Sequence, residues 1–347
     1  MATILNNLAA LHHAKNELSQ AQGEYEESLQ IYWTLAKSNL EAFLPNVAHT
    51  LNNLALLHRA KNELTQAQGE YEEALQIYRT LAKSNPEAFL PYVAGTLNNL
   101  AELHYAKNEL EQTQGEYEEA LQIRRNLAKS NPEAFLPNVA TTLNNLAALH
   151  CAKNEMEQAQ REYAEALQIR RTLAKNNPEA YLSDVATTLN NLGLLHCTKK
   201  ELEKAKREYE EALEIRRPLA QINPQTFLPD VAETLNNLAN LHSVKKELAQ
   251  AEGEYCEALQ IRRTLAKSNP EAFLPDVAMT AVNMAVFFQD YKPDRQRSLE
   301  LVKESIKAGI PFLEVLPRVQ NYARAAINVI QKWGLDVEEF LKKMDSE

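Results

Sequence analysis

Six histidines, His12, His58, His104, His150, His196 and His242, recur at a fixed interval of 46 residues. Histidine titrates near neutrality, moves protons and binds metal ions, so a regular series of it invites a chemical reading. A metal pair on one helix needs a second His or a carboxylate one turn away, and none of the six has one four residues on. Each falls beside leucines, which predicts a packed imidazole and no metal site. Cysteine offers little more. Cys151 and Cys197 share one register in successive copies, neither has a His one helical turn away to activate it, and Cys256 stands elsewhere. Three cysteines are too few for a disulfide framework and point to a reduced, cytoplasmic setting. The chain has no phosphate-cradling glycine loop, no Gly-x-Ser-x-Gly, no Cys-x-x-Cys and no His-Glu-x-x-His, so neither an enzyme nor a bound cofactor is predicted.

The chemistry that remains is recognition. Leu51, Asn52, Asn53, Leu54 and Ala55 return at Leu97 to Ala101, Leu143 to Ala147 and Leu235 to Ala239. Further copies start at Leu5 and at Leu189, the latter ending in Gly193, and a decayed one runs from Ala281 to Ala285. The chain is therefore an array in which each unit must stack on its neighbours to hide its apolar face. An Asn amide donates and accepts at once, matching what a peptide backbone presents.

Two helices must position these residues. Leu51, Leu54, Ala55 and His58 fall at spacings of three and four, which predicts a helix A over roughly residues 45–60. Leu64, Ala67, Tyr71, Ala74, Leu75 and Ile77 predict a helix B over roughly 63–83. Ala55, Ala67 and Ala74 are small enough for the two axes to approach closely. Pro86 stops helix B, and residues 85–91 read as a link whose Phe89 and Leu90, like Phe43, Phe135, Tyr181, Phe227 and Phe273 in other copies, plug the ends of stacked helices.

Composition supports an all-α fold: 8 glycines in 347 residues cannot supply the turns of a β protein. With 37 basic and 47 acidic residues the net charge is −10, which argues against a nucleic-acid partner. No apolar run approaches the roughly 18 residues of a membrane span, and no secretory signal opens the chain. No membrane partner is predicted.

The order Leu143, Leu146, Ala147, His150, Ala159, Tyr163, Ala166 resembles the tetratricopeptide repeat, and Gly193 restores the glycine that family prefers. The paired Asn followed by Leu and Ala, with the long link, is most similar to the kinesin light chain type and its bacterial relatives. The resemblance covers about residues 1–290. It departs where His replaces an aromatic in helix A and where the link is longer. It implies a right-handed α-solenoid of stacked 46-residue helix-turn-helix units. It further implies a concave groove, lined by helix A, that takes an extended peptide or partner segment. Residues 1–293 are expected to form the array, with six regular pairs and the start of a seventh. Residues 294–347 would supply a divergent last helix and a helical cap, in which Phe312, Leu316, Val319, Tyr322, Ile327 and Ile330 cover the end of the core.

Comparison of the copies isolates a variable stripe on helix A. His49, Leu56 and Arg59 become Gly95, Glu102 and Tyr105, then Thr141, Ala148 and Cys151, then Thr187, Leu194 and Cys197, then Glu233, Asn240 and Ser243. Spacings of seven and three put each trio on one side of the helix. This stripe would choose the ligand, while Asn52, Asn98, Asn144, Asn190 and Asn236 would hold its backbone. For Asn53, Asn99, Asn145, Asn191 and Asn237, knitting one repeat to the next stands at least level with ligand binding, and for the first series it is the alternative. Few positions of the stripe carry charge, so the basic clamp of a heat-shock co-chaperone is absent.

Arg124 and Arg125, Arg170 and Arg171, Arg216 and Arg217, and Arg262 and Arg263 form a series late on helix B. They read as solvated ion pairs between units, or as a basic ridge. The chain enters helix A directly after Met1, which suggests a missing upstream segment. Two functional alternatives therefore stay open: the sensor or regulatory arm of a larger enzyme or signalling ATPase with an upstream effector domain, and a self-assembling scaffold.

Overall fold

In the computed structural model, which describes residues 1–346, every regular element is helical. The chain divides into two compact units, Met1–Leu173 and Ala174–Glu347. The first holds α1 (Ala2–Ala14), α2 (Leu18–Ala36), α3 (Leu40–Ala60), α4 (Leu64–Ser84), α5 (Pro86–Ala106), α6 (Leu110–Ser130), α7 (Pro132–Ala152) and most of α8 (Met156–Asn176). Odd-numbered helices are the predicted A helices and even-numbered ones the B helices. Consecutive helices from α1 to α7 pack in order.

The second unit holds α9 (Pro178–Thr198), α10 (Leu202–Ile222), α11 (Pro224–Val244), α12 (Leu248–Ser268), α13 (Pro270–Asp290) and α14 (Arg295–Gly309). A short 3-10 turn at Ile310–Phe312 leads to α15 (Pro317–Lys332) and α16 (Val337–Ser346). Here too each helix packs on the next, and α15 lies against both α13 and α14. Each unit is thus an array of stacked hairpins, as the repeat predicts.

Within a hairpin the A-to-B turn is closed by a left-handed residue. Asn62 has φ 62°, Glu63 N–H donates to the His58 carbonyl at 2.8 Å, and Asn62 N–H donates to the Arg59 carbonyl at 3.0 Å. This pattern satisfies the last carbonyls of helix A, and Asn tolerates the left-handed region better than most side chains. Lys200 and Lys246 take the same conformation, at φ 61° and 63°, without that tolerance.

The predicted link between units is not a loop. Only Asn85 separates α4 from α5: its side chain accepts from Ala88 N–H at 3.2 Å, and Pro86 opens the new helix. An N-cap Asn followed by Pro at the first helical position is a strong start signal, so the chain ends one helix and begins another across a single residue. Phe89 and Leu90 therefore sit in the first turns of α5, half-buried against the core. Pro91 is carried inside the helix.

The core is built from short and large side chains in alternation. Ala55, Ala67, Tyr71 and Ala74 are fully buried, and Leu51, Tyr78 and Val93 nearly so. A fully buried Leu or Tyr stabilises by about 1.5–3 kcal/mol, and the alanines let the helices approach closely enough to collect it. At Gly193 the approach leaves no room for a side chain, since a methyl there would stand 2.6 Å from the Tyr209 ring.

The last hairpin departs from the pattern. α14 has 15 residues where α12 has 21. Val319, Ala326, Val329 and Ile330 of α15 are buried, Trp333 Nε1–H donates to Ser298 Oγ at 3.0 Å, and Gln289 Nε2–H donates to the Val329 carbonyl at 2.9 Å. Ile327, expected to cover the core, points outward.

The expectation that no apolar stretch is long enough to span a membrane needs correction. Among the described residues α13 is long and apolar enough by length and composition. Its Val277, Ala278, Ala281, Val282, Met284, Ala285, Phe287 and Phe288 are buried inside the unit, which accounts for that composition.

Candidate functional site

The paired asparagines lie where one helix A meets the next. Asn99 Nδ2–H donates to Asn52 Oδ1 at 3.2 Å, Asn237 Nδ2–H to Asn190 Oδ1 at 3.2 Å, and Asn283 Nδ2–H to Asn236 Oδ1 at 3.2 Å. Asn53 reaches Asn6 at 3.5 Å and also donates to His49 Nε2 at 3.2 Å. Thr96 and Thr234 hydroxyls add second donors to Asn52 and Asn190, both at 3.4 Å. The first Asn of each pair is correspondingly enclosed: Asn190 and Asn236 are 3% exposed and Asn98 6%, while Asn52 and Asn144 are half-buried. The ladder spends the oxygen of the first Asn and the amide of the second on holding adjacent helices in register.

Asn98 differs from its counterparts. Its Oδ1 accepts from Arg124 Nη1–H at 3.3 Å, and its Nδ2–H donates to Glu102 Oε1 at 2.9 Å. Glu102 in turn pairs with Arg59 at 2.6 Å, so the two charges of the variable stripe in the first unit neutralise one another across α3 and α5.

The stripe itself stays accessible. In the first unit His49 and Tyr105 are exposed, Tyr105 to 44%, and Leu56, Arg59, Glu102, Thr141, Ala148 and Cys151 are half-buried. In the second, Leu194 is 57% exposed, Glu233 and Asn240 are exposed, and Thr187 and Cys197 are half-buried. Ser243 is the exception, buried and donating to the Ala239 carbonyl at 2.7 Å. Helix B supports the stripe from beneath: Tyr255 O–H donates to Asn240 Oδ1 at 2.5 Å, and the Tyr209 hydroxyl lies 3.9 Å from Cys197 Sγ. Burial pushes the Cys151 and Cys197 thiols up, away from nucleophilic ionisation.

The histidines are packed, as their leucine neighbours predict, but each has a partner that lies well beyond one helical turn in sequence. Nδ1 of His12, His58, His104, His150, His196 and His242 lies 2.6–2.8 Å from a carboxylate oxygen of Glu24, Glu70, Glu116, Glu162, Glu208 and Glu254. The signal was a Glu recurring twelve residues after each His, a spacing that only the A-to-B turn makes close. Burial pushes the carboxyls of Glu70, Glu116 and Glu208 up, against the pull of their histidines. Each clasp ties helix A to helix B. Among the described residues no group of His, Cys, Asp and Glu converges as a metal site.

The arginine series splits in two. Arg124, Arg170, Arg216 and Arg262 are buried. Arg216 Nη1–H donates to the Asp230 carbonyl at 2.9 Å and to Thr234 Oγ1 at 2.5 Å, and Arg262 bonds Asp276 and Thr280 likewise. Burial pushes the Arg124 guanidinium down to about 10. The next residue faces solvent: Arg125 pairs with Glu165 at 2.6 Å, Arg217 with Glu257 at 2.8 Å, and Arg79 with Glu119 at 2.7 Å. The expected solvated ion pairs exist for Arg125, Arg217 and Arg263, whereas the first Arg of each pair is an internal tie, which at Arg216 also reaches Glu233 at 3.4 Å. An unbroken basic ridge is therefore not present.

Family models described as tetratricopeptide repeat match residues 1–33, 47–86 and 93–132, and residues 138–217 and 184–264. Comparison with curated proteins returned no match. Among solved structures, BtubC (BKLC) from P. vanneervenii is 25% identical with a TM-score of 0.59, the match covering 72% of this chain and 92% of that one. The Rap conjugation gene regulator of the plasmid pLS20, solved in complex with the Phr* peptide, is 16% identical with a TM-score of 0.52, covering 91% of this chain and 74% of that one. A signal transduction ATPase with a tetratricopeptide repeat sensor from Pyrococcus horikoshii is 15% identical with a TM-score of 0.59. That match covers 99% of this chain and 47% of the ATPase.

Proposed function

Because the chain belongs to the tetratricopeptide repeat family, we propose that it is a non-catalytic binding protein whose helix A stripe takes an extended segment of a peptide or partner protein. The observation that carries this reading is where the copies differ. Residues of the hairpin core and of the Asn ladder repeat almost unchanged, while the stripe changes from copy to copy and stays accessible at Tyr105, Leu194 and Asn240. A face that reads different side chains along a ligand must differ from copy to copy, and this one does. In this reading the Asn ladder sets the spacing of the reading helices. In the second unit Leu194 supplies an apolar anchor and Asn240 a polar contact already oriented by Tyr255, and in the first unit Tyr105 supplies the anchor. His49, Leu56, Arg59 and Glu102 form the corresponding surface of the first unit.

The peptide-bound pLS20 regulator shares the fold and supports a peptide as the class of ligand. Three unpaired thiols suit a reducing, cytoplasmic compartment. The fold likeness to an ATPase sensor supports a second reading, in which the same stripe serves as the sensor of a larger polypeptide.

Selection of binders from a random peptide library against the whole chain tests the proposal. Peptides recovered on the wild type should lose about tenfold or more in affinity on Leu194→Asp combined with Asn240→Arg, and keep it on Arg217→Glu. Equal loss on Arg217→Glu, or none on the stripe variant, would overturn it.

A further inference from the structure

The last hairpin of the second unit carries a cavity where the preceding one places an isoleucine. Between α10, α11 and α12 the interface is filled: Ile261 packs against the cluster that holds Ala220 and Val231. Ile stands at this position in every regular copy, at Ile31, Ile77, Ile123, Ile169, Ile215 and Ile261. One hairpin later Ala266 and Val277 repeat Ala220 and Val231, but Ala308 replaces the isoleucine. α14 also ends at Gly309, about six residues short of where a regular helix B would end. Both changes remove cover from the same place, and a cavity of about 630 Å³ opens over Ala266, Leu274, Val277 and Ala308.

The charge at its rim changes in step. Position 303 is Lys where the other copies carry Glu26, Glu72, Glu118, Ala164, Glu210 and Cys256, and position 307 is Lys where they carry Gln or Glu. Lys267 and Arg263 complete a set of four cations against the single carboxylate of Glu304, which is held by Arg263 at 2.5 Å. Among the described residues neither Lys267 nor Lys307 joins an ion pair. This happens on a chain whose net charge is −10. An apolar floor of this size under a cationic rim matches a ligand that is apolar at its centre and anionic around it.

We propose that this cavity is a second binding site, separate from the helix A stripe, for an acidic peptide segment with a pair of large apolar side chains at its centre. The apolar pair fills the space the missing isoleucine leaves, and flanking carboxylates meet Lys267, Lys303 and Lys307. Nothing in the proposal depends on what the stripe binds.

Fluorescence anisotropy on the whole chain tests it with three fluorescein-labelled hexapeptides: Asp and Glu flanking a central Leu-Phe, lysines flanking the same pair, and Asp and Glu flanking Gly-Gly. The acidic Leu-Phe peptide should bind at least about tenfold tighter than either comparator. Lys303→Glu with Lys307→Gln, which restores the residues of a regular hairpin, should weaken it by about tenfold, and more salt should weaken the wild-type complex. Ala308→Ile should weaken it similarly while leaving the circular dichroism spectrum and melting temperature unchanged, and Leu194→Asp should leave it unaffected. Equal affinity for the Gly-Gly peptide, or undiminished binding to the double lysine variant, would overturn the proposal.

Discussion

Asn237 Nδ2–H donates to Asn190 Oδ1 across 3.2 Å, joining α11 to α9 at a point where Asn190 is almost fully enclosed. The Thr234 hydroxyl donates to the same oxygen at 3.4 Å. The Thr234 hydroxyl keeps its bond to the Asp230 carbonyl at 3.1 Å without Asn190, so Asn190→Ala should leave the Asn237 amide as the donor without its partner and cost about 1–3 kcal/mol of stability. Denaturant unfolding of Asn190→Ala, Asn237→Ala and the double variant checks this: the two single losses should sum to clearly more than the loss in the double. Additive losses would show the bond to be incidental.

Arg216 and Arg217 are adjacent in sequence and opposite in consequence. Arg216 is buried and bonds the Asp230 carbonyl and Thr234, so Arg216→Ala should cost about 2–4 kcal/mol through lost packing and two lost buried hydrogen bonds. Arg217 forms a surface pair with Glu257, and Arg217→Ala should cost less than about 1 kcal/mol. Melting temperatures of the two variants, measured side by side, should rank in that order.

At Lys246, a side chain with no preference for φ 63° occupies a turn that four other copies close with Asn16, Asn62, Asn108 and Asn154. Lys246→Asn should stabilise the chain by about 0.5–1 kcal/mol, since the left-handed conformation costs most residues about 1–2 kcal/mol and Asn less. Chemical denaturation reads this directly, and a lower midpoint in Lys246→Asn would contradict it.

Burial holds the Glu208 carboxyl above its ordinary value of 4.5 despite the hydrogen bond to His196. A carboxyl raised on folding contributes stability that is fully present below its unfolded pKa and fades as pH rises through the folded value. Glu208→Gln stays neutral throughout. From pH 4.5 upward, the melting temperature of Glu208→Gln should gain on that of the wild type in scanning calorimetry. A difference independent of pH would dismiss this account of the clasp.

The hairpins were legible because a 46-residue period with three-and-four spacing admits little else. The single-residue break at Asn85 is legible too, as an N-cap followed by Pro86, once Pro86 counts as the start of one helix as well as the stop of another. What sequence could not give depends on how one helix sits against another. Arg216 and Arg217 are one residue apart, so about 100° of helix rotation separates them, and only packing decides which turns inward. His58 and Glu70 meet because a turn folds between them. The same holds for the candidate site: the stripe was visible as variation, whereas the enclosure of Asn98, Asn190 and Asn236 depends on helix-to-helix register.

Site-specific photo-crosslinking tests the central claim most directly. A benzophenone side chain is placed in turn at Tyr105, Leu194 or Asn240 on helix A, and at Arg125 or Arg217 on helix B, and a library-selected peptide is irradiated with each. Adducts at the helix A positions, absent at the helix B positions, are the predicted result. Adducts at Arg125 or Arg217 with none at Leu194 or Asn240 would contradict it.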